Sequence, residues 1–305
     1  MKIIGIGETV CDIIFKNDEP WRAVPGGSTF NSMISLGRTL GKEGIPCVMI
    51  SAVGDDHVGQ YVGKFMTDSH VSSAYLTQHK DCQSTISLAF LDENNDAQYE
   101  FYKDPKPQSM PLSMPEIEAD DIVVFGSYFA VGKSTRELVS ALLCRAGQAG
   151  ATVYYDINFR PNHLKELEDL RGNIIDNYRH ATIVRGSTDD FFNLYGTRDA
   201  RLIYEKYLSP YCRHMVGEHC RTMICTDGAN AVTVICSGET TIVPVEPITT
   251  VSTIGAGDNF NAGYIYGLAK GLKSPTALIA VAAQFSSHVC QSLYNYVDPD
   301  FTPKL

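Results

Sequence analysis

An α/β fold with a mostly parallel sheet sandwiched by helices is predicted by three observations. Short apolar runs of strand length alternate with helical periodicity along most of the chain, the order that buries a parallel sheet under helices on both faces. Two stretches break this order as antiparallel excursions. Finally, 305 residues at 44% hydrophobic content suffice for a substantial core, in one large domain or two small ones.

Each element follows from its residues. Ile3 to Gly7 is a buried first strand, and Cys47 to Ser51, Ile122 to Phe125, Thr152 to Tyr155, Ala181 to Val184 and Thr222 to Thr226 continue the parallel set, with helical patterns between most of them. Gly54-Asp55-Asp56-His57-Val58-Gly59 reads as a strand-to-helix turn with an acidic cap. Thr85 to Leu91 alternates, turns through Asp92 to Asp96 and returns through Gln98 to Tyr102, which predicts a hairpin. Ala231 to Ile235 and Thr241 to Val245 predict an antiparallel edge with Gly238 in the turn. Near the C-terminus, Ala262, Ile265, Tyr266, Ala269 and Leu272 form one helical stripe, and Ala277 to Leu293 a further helix.

Composition excludes several classes. A net charge of −10, without a Lys/Arg cluster, argues against nucleic acid or an anionic membrane as partner. Glu8 and Asp12 interrupt the first apolar run, so no export signal is expected, and no apolar run reaches the roughly 18 residues of a membrane span. A cytoplasmic location is expected. The nine cysteines suit reduced thiols rather than a disulfide framework. Cys212, His214, His219, Cys220 and Cys225 crowd together but fit no paired zinc-ligand spacing. Gly5-x-Gly7 is not a dinucleotide fingerprint, because Val10 stands where the third glycine belongs. Gly132-Lys133-Ser134 is not a P-loop, because Ser127 replaces the first glycine.

The most informative run is Val251 to Phe260. Gly255-Ala256-Gly257-Asp258 sits where the stripe begins, hence at a helix N-terminus. Amides there lack intrahelical acceptors and the dipole favours negative charge, so small residues let an anion approach the backbone. Asp258 is either a structural first-turn acid or a base that takes a proton from a substrate hydroxyl, with the Gly255, Ala256 and Gly257 amides holding charge on a transferred phosphoryl group. Phosphoryl transfer asks little else of a protein.

This run resembles the C-terminal signature of PfkB/ribokinase-type carbohydrate kinases, Asp-Thr-x-Gly-Ala-Gly-Asp followed by an aromatic residue. Ser252 stands where that pattern has Asp, and its neutral hydroxyl weakens the case for the family's monovalent-cation site. Pro25 to Gly37 resembles the N-terminal motif, which implies sugar contacts at Gly26, Gly27 and Asn31, with Asp12 as the sugar-binding aspartate. Asp156-Ile157-Asn158-Phe159-Arg160-Pro161 resembles the Asp-x-Asn-x-Arg-Pro of fructokinase-like and ketodeoxygluconate-kinase-like members, implying substrate contacts at Asn158 and Arg160. Arg160 could clamp a phosphate or a sugar-acid carboxylate. Arg185 to Asp190 occupies the place of the family's Asn-x-x-Glu, with Ser187 for Asn and Asp190 for Glu; metal handling is expected through Asp190. Thr222 to Ala229 resembles the strand and turn that contact ATP, implying nucleotide contacts at Thr226 and Gly228 as well as Ser187 and Asp190.

The resemblance implies a single ribokinase-like domain over residues 1–305, with a small β lid formed by about 11–25 and 84–108. It implies an ATP- and Mg²⁺-dependent kinase of a small sugar. Fructose is the first expectation for acceptor and 2-keto-3-deoxygluconate the second, with other sugars or a nucleoside behind them. A sugar-binding or regulatory protein on the same fold is the reading from a different class, and the intact Asp258 argues against it. An exposed lid strand would offer an edge for homodimer pairing.

Overall fold

The computed structural model of the chain describes residues 1–92, 97–104, 113–212 and 221–305. In chain order its strands are β1 (Ile3–Ile6), β2 (Val10–Lys16), β3 (Glu19–Gly26), β4 (Cys47–Gly54), β5 (Val71–Ser72), β6 (Leu76–His79), β7 (Ile86–Leu91), β8 (Ala97–Tyr102), β9 (Ile122–Gly126), β10 (Thr152–Asp156), β11 (Ile183–Ser187), β12 (Thr222–Thr226), β13 (Ala231–Cys236) and β14 (Glu239–Pro244). Its α-helices are α1 (Ser28–Leu36), α2 (His57–Asp68), α3 (Arg136–Ala149), α4 (Leu167–His180), α5 (Thr188–Tyr195), α6 (Ala200–Ile203), α7 (Ser209–Cys212), α8 (Ala256–Ala269) and α9 (Pro275–Cys290). Contacts divide the chain into two units: Met1 with Glu116–Pro247, and Lys2–Pro115 with Ile248–Leu305.

The unit Glu116–Pro247 carries β14-β13-β12-β11-β10-β9 side by side. The steps from β9 to β12 are parallel, and β13 and β14 add the expected antiparallel edge. Near-continuous apolar sequence marks strands buried on both faces; Val123, Phe125, Tyr154, Tyr155 and Ile224 are fully buried. Helices α3, α4 and α5 each bury one stripe, including Leu142 and Leu143, Ile174 and Tyr178, and Phe191 and Leu194. The register sets Asp156 beside Arg185 and Ser187 beside Thr226, so the polar residues gather at the carboxyl ends of parallel strands.

The second unit has β1 parallel to β4, with β5 and β6 both pairing with β4. β5 and β6 were not expected, because Leu76-Thr77-Gln78-His79 shows no buried alternation. Helix α8 packs on α1 and α9. It is buried nearly all round from Asn259 to Gly267 and ends at Ala269, so Leu272 of the expected stripe lies beyond it, after Gly271 at φ +81°. Helix α9 runs three residues short of the expected Leu293, closing at Cys290.

The same unit holds a four-stranded sheet ordered β3-β2-β7-β8. The hairpin β7/β8 forms as expected, and β2 lies parallel to β7. Residues 93–96 of its turn and 105–108 of the expected lid lie outside the described residues. So do 213–220 of the Cys/His cluster. Against the expectation of reduced thiols throughout, Cys236 is disulfide-bonded, while Cys11, Cys47, Cys82, Cys144, Cys225 and Cys290 carry reduced thiols. Among the described residues no helix is long and apolar enough to cross a membrane.

Candidate functional site

The α8 N-terminus is built around Gly255, the cap residue, in the left-handed region at φ +74°. A Cβ there would lie 2.8 Å from the Asn295 carbonyl oxygen, so conformation and space both require glycine. The first intrahelical bond runs from Asn259 N to Gly255 O at 2.9 Å, and the amides of Ala256, Gly257 and Asp258 precede it. One is partly committed: Ala256 N donates to Thr253 O at 3.2 Å. Ser252 is buried, and its hydroxyl accepts from Ile254 N at 3.2 Å, closing the turn that leads into the cap.

Asp258 is half-buried in the first turn, and α1 presents donors to both of its oxygens. Ser28 Oγ donates to Oδ1 at 2.7 Å and Asn31 Nδ2 to Oδ2 at 2.8 Å, while Ser32 Oγ donates to the Asp258 carbonyl at 2.7 Å. Asn31 is 6% exposed, and its Oδ1 is buried without a donor among the described residues. A buried acceptor left unmatched beside a carboxylate is a costly arrangement that a ligand hydroxyl would relieve.

Asp12 projects from β2, 7% exposed, with Ser87 Oγ of β7 donating to its Oδ1 at 2.5 Å. Burial pushes its carboxyl up to about 6, with the Ser87 donor pulling the other way. Both glycines of the Pro25-Gly26-Gly27 turn are needed by the protein's own packing. A Cβ on Gly26 would fall 2.3 Å from Asp12 Oδ2, and Gly27, at φ +128°, would set one 2.3 Å from the Glu8 carbonyl oxygen. Cross-strand pairing puts Val24, Asp12, Ser87 and Phe101 in one row, and paired residues share a face. Phe101, 51% exposed, therefore stands on the face that carries Asp12.

In the unit Glu116–Pro247, the strand ends hold a separate polar group. Arg185, 7% exposed, donates through Nη1 to Asp156 Oδ1 at 3.0 Å and through Nη2 to Thr226 Oγ1 at 2.8 Å. Burial works against its charge, but the carboxylates of Asp156 and Asp190 outweigh that and hold it protonated. Thr226 thus spends its hydroxyl on Arg185. Ser187 and Asp190 form a capping box at α5: Asp190 N donates to Ser187 Oγ at 3.1 Å, and Ser187 N donates to Asp190 Oδ2 at 2.8 Å. Gly228 lies at φ +53° with open space where a Cβ would be. Asn158 is left-handed at φ +38°, and Arg160 follows it, exposed and without an ion-pair partner among the described residues. Asp56 caps α2 as expected, accepting from Gly59 N at 2.8 Å.

The sequence reading missed Ser28, Ser32, Ser35 and Asn259. The signal was present: Ser28, Asn31, Ser32 and Ser35 recur at i, i+3, i+4 and i+7, a polar stripe on a helix buried from Thr29 to Leu36. Such a stripe must have partners, and it finds them in Asp258 and in Asn259, whose Oδ1 accepts from Ser35 Oγ at 2.5 Å. In the sequence Arg185 stands out only as the start of the Arg185 to Asp190 segment. Among the described residues, a group of three carboxylates close enough to share a cation occurs at Glu118, Asp120 and Asp121, none of them a residue the sequence singled out.

Residues 2–298 match the model of the family described as pfkB family carbohydrate kinase. A fructokinase from Rhizobium leguminosarum bv. trifolii is 27% identical over 277 residues, covering 87% of this chain and 79% of the relative. An aminoimidazole riboside kinase from Salmonella typhimurium is 24% identical over 286 residues, covering 92% and 85%. Among solved structures, the Vibrio cholerae O395 fructokinase with fructose, ADP and calcium ion superposes with a TM-score of 0.83 at 19% identity, over 97% of this chain and 94% of that one. The aminoimidazole riboside kinase of Salmonella enterica, with its riboside and an ATP analog, gives 0.78 at 22%, over 96% and 94%. At these identities the structural likeness establishes a ribokinase-like fold, and the family match over nearly the whole chain establishes that this protein is a member of the pfkB family of carbohydrate kinases.

Proposed function

We propose that the chain transfers the γ-phosphoryl group of ATP to a hydroxyl of a small sugar, with Asp258 as general base and the backbone amides of Gly255, Ala256 and Gly257 as the anion hole. The observation that carries this reading is the half-buried Asp258 in the first turn of α8, held by two neutral donors beside amides that precede any intrahelical acceptor. A carboxylate so placed takes the proton of the attacking hydroxyl, and the amides and helix dipole stabilise charge on the phosphoryl oxygens. Asp12, Gly26, Gly27 and Asn31 are assigned to the acceptor, with the unmatched Asn31 Oδ1 as the natural acceptor for a sugar hydroxyl. Asn158 and Arg160 are assigned to the acceptor as well. Ser187, Asp190, Thr226 and Gly228 are assigned to the nucleotide.

Mg²⁺ is the proposed divalent ion. It keeps most of its waters and binds largely through phosphates, so a protein cage of carboxylates is not required. Asp190, whose Oδ2 already accepts from Ser187, fits the role of steadying a metal-bound water. The metal would neutralise phosphate charge when bound. Ser252 in place of an aspartate favours a kinase that does not require a monovalent cation. The four-stranded sheet is proposed as a lid that excludes competing water, and its edge strand β8 as the surface through which two copies would pair. A cytoplasmic site of action fits a consumer of ATP.

Fructose is the proposed acceptor, supported by the Asp156 to Pro161 pattern and by the fructokinases among the relatives. 2-Keto-3-deoxygluconate ranks second, because the exposed Arg160 suits a sugar-acid carboxylate. A coupled assay of ADP release across ketoses, aldoses, sugar acids and nucleosides tests the acceptor. Asp258→Asn tests the base: with the best acceptor of the panel, turnover should fall by about 10² or more with ATP binding retained. Turnover equal to wild type would end the assignment.

A further inference from the structure

Two aspartates of this chain occupy the same place in a helix, the third residue after the cap, and the fold uses them differently. Asp190 is bound back into its own helix end: its amide reaches the Ser187 hydroxyl, and its Oδ2 accepts from the Ser187 amide and hydroxyl at 2.8 and 2.7 Å. At α8 the cap is Gly255, and no side chain can be added there against the Asn295 carbonyl. The reciprocal cap is therefore unavailable to Asp258. Its two oxygens are instead met from the neighbouring helix, one by Ser28 Oγ at 2.7 Å and one by Asn31 Nδ2 at 2.8 Å.

We propose that Ser28 is a positioning residue that fixes the carboxylate plane of Asp258 for proton acceptance. This deepens, and rests on, the reading of Asp258 as base. The torsion about an aspartate Cβ–Cγ bond is broad, so a single donor leaves the plane free to swing, whereas one donor per oxygen pins it. A carboxylate oxygen offers two lone pairs, so accepting from Ser28 or Asn31 does not by itself bar proton acceptance. Ser28 keeps its own proton; as the acceptor oxygen bonds to the γ-phosphorus, the bond from that phosphorus to the ADP oxygen breaks, ADP leaves with that electron pair, and the acceptor's proton goes to Asp258. Ser32 separately ties the Asp258 carbonyl to α1 at 2.7 Å, so loss of the Ser28 hydroxyl removes one hold on the side chain without releasing the helix end.

The test is steady-state kinetics with the best acceptor of the panel. Ser28→Ala should lower kcat about tenfold, between full positioning and loss of the base, with KM for acceptor and for ATP within about twofold of wild type. Ser28→Thr, which keeps the hydroxyl, should restore at least half of the lost rate. In an Asp258→Asn background, Ser28→Ala should cost less than about twofold, because the carboxylate it aims is gone. The proposal is overturned by unchanged kcat in Ser28→Ala, by failure of Ser28→Thr to recover, or by a full tenfold loss in the Asn background. If Ser28→Ala lowers the melting temperature, Ser28→Cys, of similar volume and weak donor strength, carries the same comparison. Wild-type turnover in Asp258→Asn alone would instead remove the base assignment, a result separate from any of these.

Discussion

The cost of burying a carboxylate is visible at Asp12. It is 7% exposed, and burial raises its carboxyl to about 6, from an ordinary aspartate value of 3.8. A folded-state value above the unfolded one means that the fold favours the protonated form. The contribution to stability is therefore complete below about 4 and is lost as pH rises through about 6. Near-complete ionisation at pH 7 costs the fold about 2–3 kcal/mol, at 1.36 kcal/mol per unit. Asp12→Asn keeps an oxygen for the Ser87 donor and should be more stable than wild type by about that amount at pH 7. The advantage should shrink toward zero near pH 4, as read from denaturant midpoints across pH. Its KM for the acceptor should rise at the same time. Equal stability of the two proteins at pH 7 would show that the carboxylate is not strained by burial.

At the scale of elements, the N-terminus of α8 depends on one glycine. Gly255→Ala must adopt φ near +74° and bring a methyl within 2.8 Å of a backbone oxygen that cannot swing aside. A left-handed non-glycine residue costs of order 1 kcal/mol, and the backbone contact adds to it, so a loss of about 2–4 kcal/mol is expected. Turnover should fall with it, because the amides shift. Chemical denaturation together with ADP release checks both parts; a variant of unaltered stability would refute the packing argument. Legibility in the sequence divides along the same line. The parallel strands could be read because burial on both faces leaves continuous apolar runs such as Ile122 to Phe125, and the α8 start because small residues and a stripe abut at Gly255. β5 and β6 could not, being two and four residues long and without alternation. Asp258 was legible as chemistry; the polar stripe of Ser28 and Ser35 was legible as a pattern, but its partners, 230 and 224 residues away, were not.

For the whole molecule, the informative feature is how chain order maps onto the two units. One is a continuous segment, Glu116–Pro247, apart from Met1; the other joins Lys2–Pro115 to Ile248–Leu305. The polar row of α1 bonds into the second segment of its unit, at Asp258 and Asn259, and Tyr296 and Val297 add further bonds to Pro25 and Ser35. A chain ending at Pro247 leaves that buried row unmatched, which is a strongly destabilising condition. Hydrogen exchange on such a truncated chain should show loss of protection throughout α1, while β10 and β11 retain theirs. Retained protection in α1 would mean that its stability does not depend on the C-terminal segment.

That arrangement has a consequence for synthesis on the ribosome. The proposed base follows its Ser28 partner by 230 residues in the chain. A nascent chain interrupted before α8 emerges lacks the carboxylate that the Ser28 hydroxyl and the Asn31 amide meet.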